Sequence, residues 1–410
     1  MTKADKERQR KAPILRFKGF NDDWEQRKLS DFTHIIVGGT PSTKKNEYWN
    51  GNIPWMSSGE INKKRIYKTD KSITKLGLEN LSAKFVPKNS VLIALAGQGK
   101  TRGKVAINNI ELTINQSLAG LIPTSESYYE FIFYNLEKRY SELRRLSSGA
   151  GSRGGLNKKL IQNIKIQIPD LREQTLISKL SETLDKVLTL YDRKLKLLSQ
   201  VKKYFLDNLF AEKEYPNLRF KYFKKDKWEK TSLNSIVTYS NGKAHEKEIN
   251  NKGNLDLVMM NSITTGGRLI TKKKILSPQD TLNKNDIVIV LSDIAKGELI
   301  GKSSVIPCDN QYVLNQRIGC LHPTLNIDSF FVSKYINQKN RYFKSHAAGT
   351  SQINLSKSDV LNCTIYIPKV DEQHCVSNFI INVEKIINFY EYKKRHIIQI
   401  KNILLNTMFI

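Results

Sequence analysis

The chain has 410 residues, 39% of them hydrophobic, enough for two domains with cores of their own. Its 67 Lys and Arg against 39 Asp and Glu leave a formal charge of +28, an excess that attracts polyanions, nucleic acid first, with a merely lysine-rich surface as the plainer reading. No apolar run approaches the roughly 20 residues of a bilayer span, and residues 1–11 are too polar for a signal peptide, so a cytoplasmic protein is expected.

In chain order the expected parts are a basic arm (1–20), a globular domain (21–169), a long helix (170–211), a second globular domain (212–368) and a second long helix (369–410). The division rests on an internal repeat at an offset of roughly 200 residues. Pro13-Ile14-Leu15-Arg16-Phe17, with Phe20 and Trp24-Glu25, returns as Pro216-Asn217-Leu218-Arg219-Phe220, with Phe223 and Trp228-Glu229. The run 88–93 returns at 284–289, Asn115-Gln116 returns as Asn315-Gln316, and Ile168-Pro169 with Glu173-Gln174 returns as Ile367-Pro368 with Glu372-Gln373. Short strands and Gly-rich loops predict mixed α/β (α+β) globules, with strands near 90–96, 104–107 and 164–168 in the first copy.

Each Ile-Pro pair opens a helical pattern. Apolar residues fall at Ile177, Leu180, Leu184, Val187, Tyr191, Leu195, Leu198, Val201, Phe205 and Leu209. Adding 199 gives Val376, Phe379, Val383, Ile386, Tyr390, Lys394, Ile397, Ile400, Leu404 and Met408, with Lys394 the one departure. This three-and-four spacing is a coiled-coil seam. A helix over 171–210 is roughly 60 Å long. The second must run back along it to pair, which predicts an antiparallel coiled coil with a globule at each end and pseudo-twofold symmetry.

Four cysteines (Cys308, Cys320, Cys363, Cys375) lie in the second half without C-x-x-C spacing, and are read as reduced, mostly buried thiols. His322 and His374 stand near cysteines, but the spacing gives no ligand set, so no metal is expected.

Together the repeat, the helices and several local words resemble type I restriction–modification DNA specificity subunits, over nearly the whole chain. The words are Gly38-Gly39-Thr40-Pro41-Ser42, Tyr48-Trp49, Ile53-Pro54-Trp55, Ser58-Gly59-Glu60-Ile61, Asn115-Gln116 and Leu156-Asn157. The second copy keeps Asn315-Gln316 and Asn354-Leu355 but has no clear Gly-Thr-Pro-Ser counterpart. The resemblance implies that the two globules are target-recognition domains, each reading one half of a bipartite DNA site, with the gap set by the helices. It also implies two modification subunits that methylate adenine with S-adenosylmethionine, and optionally an ATP- and Mg-dependent restriction subunit. This chain itself would be non-catalytic and bind no cofactor. An orphan subunit directing methylation alone stays open.

Chemistry of the chain's own finds little support in the sequence. No two prolines are adjacent, so the Asp- or Asn-Pro-Pro-aromatic loop that holds a flipped adenine is absent. The six histidines suggest neither a triad nor a metal cluster. Residues 94–101 read Ala-Leu-Ala-Gly-Gln-Gly-Lys-Thr, close to a phosphate-binding loop, but 102–107 look like a turn and a strand where that loop needs a helix. Base reading calls for Arg, Lys, Asn, Gln, Ser and Thr on loops. In the first domain the candidates are Thr40, Ser42, Lys44, Lys45, Ser57, Ser58, Gln98, Lys100, Arg102 and Arg153, with Lys63, Lys64 and Arg65 as phosphate contacts. In the second they are Lys243, Asn261, Ser262, Arg268, Ser292, Asp293, Lys296, Thr350, Ser351 and Gln352. The plainer reading of many is that they cap or brace their loops. For the Asn-Gln pairs, present in both copies, scaffolding is favoured over base reading.

Overall fold

A computed structural model describes residues 12–81, 84–97, 101–146, 155–210, 212–250, 252–276, 280–294 and 297–409. The chain divides into two compact units, residues 1–192 with 392–410, and residues 193–391. Each long helix therefore gives one part to each unit.

In the first unit the strands are β1 (Glu25–Lys28), β2 (Thr33–Val37), β3 (Trp49–Met56), β4 (Arg65–Ile66), β5 (Lys71–Ile73), β6 (Ser90–Ala94), β7 (Val105–Asn108), β8 (Thr113–Ile114) and β9 (Leu118–Pro123). Helix α1 (Tyr129–Lys138), strand β10 (Lys165–Ile168) and helix α2 (Leu171–Leu209) follow. The second unit repeats the plan with β11 (Glu229–Ser232), β12 (Val237–Asn241), β13 (Leu255–Val258), β14 (Lys273–Ile275), β15 (Ile287–Val290), β16 (Ser292–Ile294), β17 (Ser303–Val305), β18 (Tyr312–Leu314) and β19 (Ile318–Pro323). Helix α3 (Ser329–Gln338), strands β20 (Gln352–Asn354) and β21 (Thr364–Ile367), and helix α4 (Val370–Met408) complete it.

The sheets repeat the duplication, except that β4 and the β16-β20 pair have no counterpart among the described strands. The main sheet runs β2-β9-β6-β7-β4 in one unit and β12-β19-β15-β17 in the other. The small sheets β5-β3-β8 and β14-β13-β18 correspond, as do the pairs β1-β10 and β11-β21. Strands β6 and β15 are central, and every one of their residues is buried, which is why both read as unbroken rather than alternating runs. The Asn before each serves a turn: Asn89 and Asn285 stand at φ 65° and 72°, a region Asn tolerates better than other side chains.

Each globule closes with the same clasp. Glu173, near the start of α2, is wholly buried and takes two hydrogen bonds from Arg16, at 2.9 and 2.7 Å, and one from the Trp24 indole at 3.1 Å. Glu372 receives Arg219 at 2.8 and 2.5 Å and Trp228 at 3.0 Å. The following Gln174 and Gln373 each donate to the carbonyl of the preceding proline at 2.9 Å. The repeated words at the start of each copy are thus the other half of the helix-start motif. Residues 12–20, expected as part of a basic arm, pack with the first fold: Phe17 lies against the core, and Leu15 N donates to Thr407 O.

Within each unit the two helical segments are antiparallel. In the first, Asp185 meets Lys401 and Asp192 meets Lys394, both at 2.5 Å. In the second, Lys194 bonds Tyr390, Lys202 pairs with Glu384 at 2.6 Å, and Phe205 packs edge-on against Phe379. Lys394, where the repeat departs from apolar, stands there because Asp192 faces it. The seam residues Leu180, Leu184, Val187, Tyr191, Leu198, Phe205, Phe379, Val383, Tyr390, Ile397 and Leu404 are all partly buried. Ile386 corrects the expected seam: it is 48% exposed, while Ile387 is 9% exposed and takes the inward position. A 3.6-residue turn drifts against an assigned register, and an Ile-Ile pair hides the step. Among the described residues no helix is long and apolar enough to cross a membrane.

Candidate nucleic-acid interface

Strand direction brings the candidate loops of the first domain to one end of the main sheet. Val37, at the end of β2, pairs with Ala119 near the start of β9, and Ala94, at the end of β6, pairs with Leu118. The loops after β2 and β6 and the Asn115-Gln116 turn therefore lie together. Strand β3 joins them, since Asn115 N donates to Met56 O and the Ser57-Ser58 turn follows directly. The second domain repeats this. Its loop after β12 meets the Asn315 turn through a Lys243–Asn315 bridge, and Asn315 N donates to Val258 O at the end of β13.

The Asn-Gln turns hold these loops. Asn115 Oδ1 accepts from Ser117 N at 3.2 Å, the Thr40 hydroxyl donates to Gln116 Oε1, and Gln316 donates to Glu246 at 3.3 Å. The approach is close enough to require glycine. A Cβ at Gly38 would stand 2.0 Å from Ile114 O, and one at Gly242 would stand 2.1 Å from Asn315 O.

Several candidates stand on the surface. Ser42, Lys44 and Lys45 are exposed, with Lys45 reaching the Tyr48 hydroxyl at 3.0 Å. Lys243 is exposed and pairs with Asp280 at 2.6 Å. Asn261, Thr350 and Ser351 are exposed; Thr40, Ser58, Arg102 and Gln352 are half-buried. The stretches around Ser292 and Thr350, far apart in sequence, come together as the antiparallel ribbon β16-β20, with Gln352 donating to the Ser292 hydroxyl at 2.6 Å. In the first domain Leu156 N donates to Leu95 O, just as Leu355 N does to Leu291 O. Gln98, Lys100, Arg153 and Lys296 lie outside the described residues.

Other candidates turn out to brace the loops. Ser262 is buried, its hydroxyl accepting from Met259 N at 3.0 Å. Buried Asp293 takes Ile294 N and Leu299 N at 2.7 and 2.6 Å, and buried Ser292 serves the ribbon. The half-buried Ser57 N donates to Glu60 at 3.2 Å. The basic run 63–65 is not a free stripe. Arg65 is held bidentate by Glu130 at 2.7 and 2.8 Å, Lys64 pairs with Glu137, and Lys63 joins Glu60 and Asp70. Arg268 points at α4, bonding Asn388 at 2.8 Å. For Arg65 and Lys64 the partner carboxylates, Glu130 and Glu137, are far away in sequence, so local composition does not reveal them.

Charge also locks each globule to the helices. Tyr134 on α1 donates to Asp185 at 3.0 Å, and Asp185 takes Lys401 from α4. The matching positions in the second unit hold Lys334, Glu384 and Lys202, with Lys334–Glu384 at 2.7 Å. Burial pushes Glu384 up, yet Lys334 and Lys202 outweigh it and hold the carboxyl below its ordinary value. Burial pushes the Tyr134 hydroxyl up.

The phosphate-loop likeness loses its structural context. Residues 101–103 form a turn that leads into β7, which pairs antiparallel with β6, so no helix follows. Of the cysteines, Cys320 and Cys363 are buried, Cys308 is half-buried and Cys375 is exposed; burial pushes the Cys363 thiol up to about 12. The spacing gave no ligand set, but the fold gathers Asp286, Cys320 and His322, with ligand atoms within 4.8 Å of one another.

The model of the type I restriction modification DNA specificity domain matches this chain twice, over residues 21–200 and 225–402. The chain belongs to that family. The type I restriction enzyme MjaVIII specificity subunit of Methanocaldococcus jannaschii is 23% identical over 94% of this chain and 92% of its own length. The EcoR124I/EcoR124II specificity subunit of Escherichia coli is 29% identical over 48% of this chain and 50% of its own. In fold, the type I restriction-modification S subunit of M. genitalium superposes at a TM-score of 0.64 with 14% identity, covering 97% of this chain and 99% of that one. A chain from a structure describing type I R-M complex assembly and conformational transition matches at 0.57, with 14% identity over 96% and 98% of the two chains. For a member of this specificity family, the doubled match places one recognition module in each half of the sequence.

Proposed function

We propose that this chain is the non-catalytic reader of a cytoplasmic type I restriction–modification complex and recognises a DNA site in two parts. Each recognition domain reads one half-site with the loops gathered at one end of its main sheet, and the long helices set the unread gap. Two modification subunits methylate adenine N6 with S-adenosylmethionine, and a restriction subunit, where present, supplies ATP- and Mg-dependent cleavage. The chain binds none of these cofactors itself. The observation that carries the reading is the family match to both halves, supported by the shared strand order. Exposed Lys44, Lys45 and Lys243 are suited to phosphates, and Asn261, Thr350 and Ser351 to base edges.

Domain exchange tests it. Replacing residues 21–165 with the corresponding domain of another family member should change one half of the recognised motif and leave the other half unchanged. A change in both halves, or in neither, contradicts the assignment of one half-site to each domain.

A further inference from the structure

We propose that Asp286, Cys320 and His322 form a site for a single zinc-class divalent cation inside the second recognition domain. The inference does not rest on the DNA reading, and its failure would leave that reading intact. Cys320 and His322 are two residues apart on β19, so they share a face of the sheet. On one side Ser240 pairs directly with Cys320; on the other, Ile287 pairs with Leu321, which sets Asp286 beside His322. The His322 Nδ1 atom is the hub, 2.7 Å from Asp286 Oδ1 and 3.8 Å from Cys320 Sγ. Its other ring nitrogen, Nε2, lies 2.8 Å from the Ser240 hydroxyl. That is the outer partner which fixes a metal-bound imidazole in orientation and tautomer.

The donor set selects the ion. One sulfur, one imidazole nitrogen and one carboxylate oxygen suit zinc, and a dication balances the thiolate and carboxylate charges. Tetrahedral bonds of 2.0–2.3 Å put ligand atoms roughly 3.3–3.7 Å apart. The two observed distances lie either side of that range, so binding requires His322 and Asp286 to part by roughly half an ångström. Cys320 is fully buried and Asp286 is 5% exposed, while His322 is half-buried. The fold itself does not call for these residues. At the matching register the first domain carries Ile36, Ser90, Gly120 and Ile122, and builds the same sheet without a ligand set.

Cobalt(II) binding to the chelator-treated full chain tests the site, because thiolate ligation gives an intense near-ultraviolet band. The expected result is one Co2+ per chain, displaced by one equivalent of Zn2+. The band should vanish in Cys320→Ser, and Co2+ affinity should fall at least tenfold in His322→Gln and about 10–100-fold in Ser240→Ala. Should Cys320→Ser not fold, the half-buried His322→Gln carries the test, with cooperative melting as its control. No thiolate band from the folded chain, a band that survives loss of Cys320, or a Co2+ affinity unchanged in His322→Gln overturns the proposal and leaves an ordinary His–Asp ion pair beside a neutral thiol.

Discussion

At the scale of single residues, the two clasps at the helix starts carry the largest individual stakes. Glu372 is 1% exposed and its oxygens are shared by Arg219 and Trp228. Glu372→Ala leaves a buried guanidinium and an indole N–H without their acceptor, so the second unit should lose about 3–5 kcal/mol, read from denaturant unfolding. Glu384 gives a pH signature. Its folded-state pKa lies below the unfolded one, so its contribution is full above the ordinary carboxylate range and is lost as pH falls through the folded value. The stability gap between the parent and Glu384→Gln should be widest near neutrality and close in acid; a gap that grows in acid contradicts the Lys202–Glu384–Lys334 cluster. Exposed Lys44 belongs to the proposed interface. Lys44→Ala should weaken DNA binding evenly across sequences and lower the slope of log K against log salt by about 1. Residue roles were the least legible part of the sequence. A serine on a Gly-rich loop looks the same whether it faces solvent or, like Ser262, caps a turn. Arg65 reads as a phosphate contact until the fold brings up Glu130, 65 residues away.

At the scale of elements, the helices were the most legible, because a seam kept over many turns leaves few alternatives. Both were expected within a residue or two of where they lie. Val201 lies off the seam at 44% exposure, and the slip in the second helix, Ile386 for Ile387, came from extending the first helix's register by a fixed offset. The slip is testable. Ile387→Ala should cost about 2–5 kcal/mol, as for a buried aliphatic, while Ile386→Ala should stay within about 0.5 kcal/mol. Thermal melts of the two variants distinguish them, and equal losses would restore the original register. The central strands were legible as apolar runs, and the Asn before each was legible only as a repeated letter until its positive φ gave the reason. The β16-β20 ribbon was not legible. It joins two short segments through backbone pairing, and neither has an apolar pattern long enough to signal a strand.

At the scale of the whole molecule, duplication is the organising fact, and it was written in the sequence as repeated words. Those words lie mostly at the clasps and turns, where geometry fixes the residue: Arg16 and Arg219, Glu173 and Glu372, Asn115 and Asn315. The loops between them diverge, as suits two modules that read different half-sites. The Asp286–Cys320–His322 group lies on the duplicated sheet itself, where the first copy has Ser90, Gly120 and Ile122 at the matching register, so comparing the two copies does not reveal it. The central claim is bipartite reading of DNA on behalf of a partner methyltransferase. The most direct test is methylome sequencing of cells carrying this chain with its modification subunit, against cells lacking only this chain. The account predicts N6-methyladenine at one motif made of two short parts separated by a fixed unread gap, present only with the chain. An assembled complex that yields no chain-dependent adenine methylation, or methylation at a continuous motif, would contradict it.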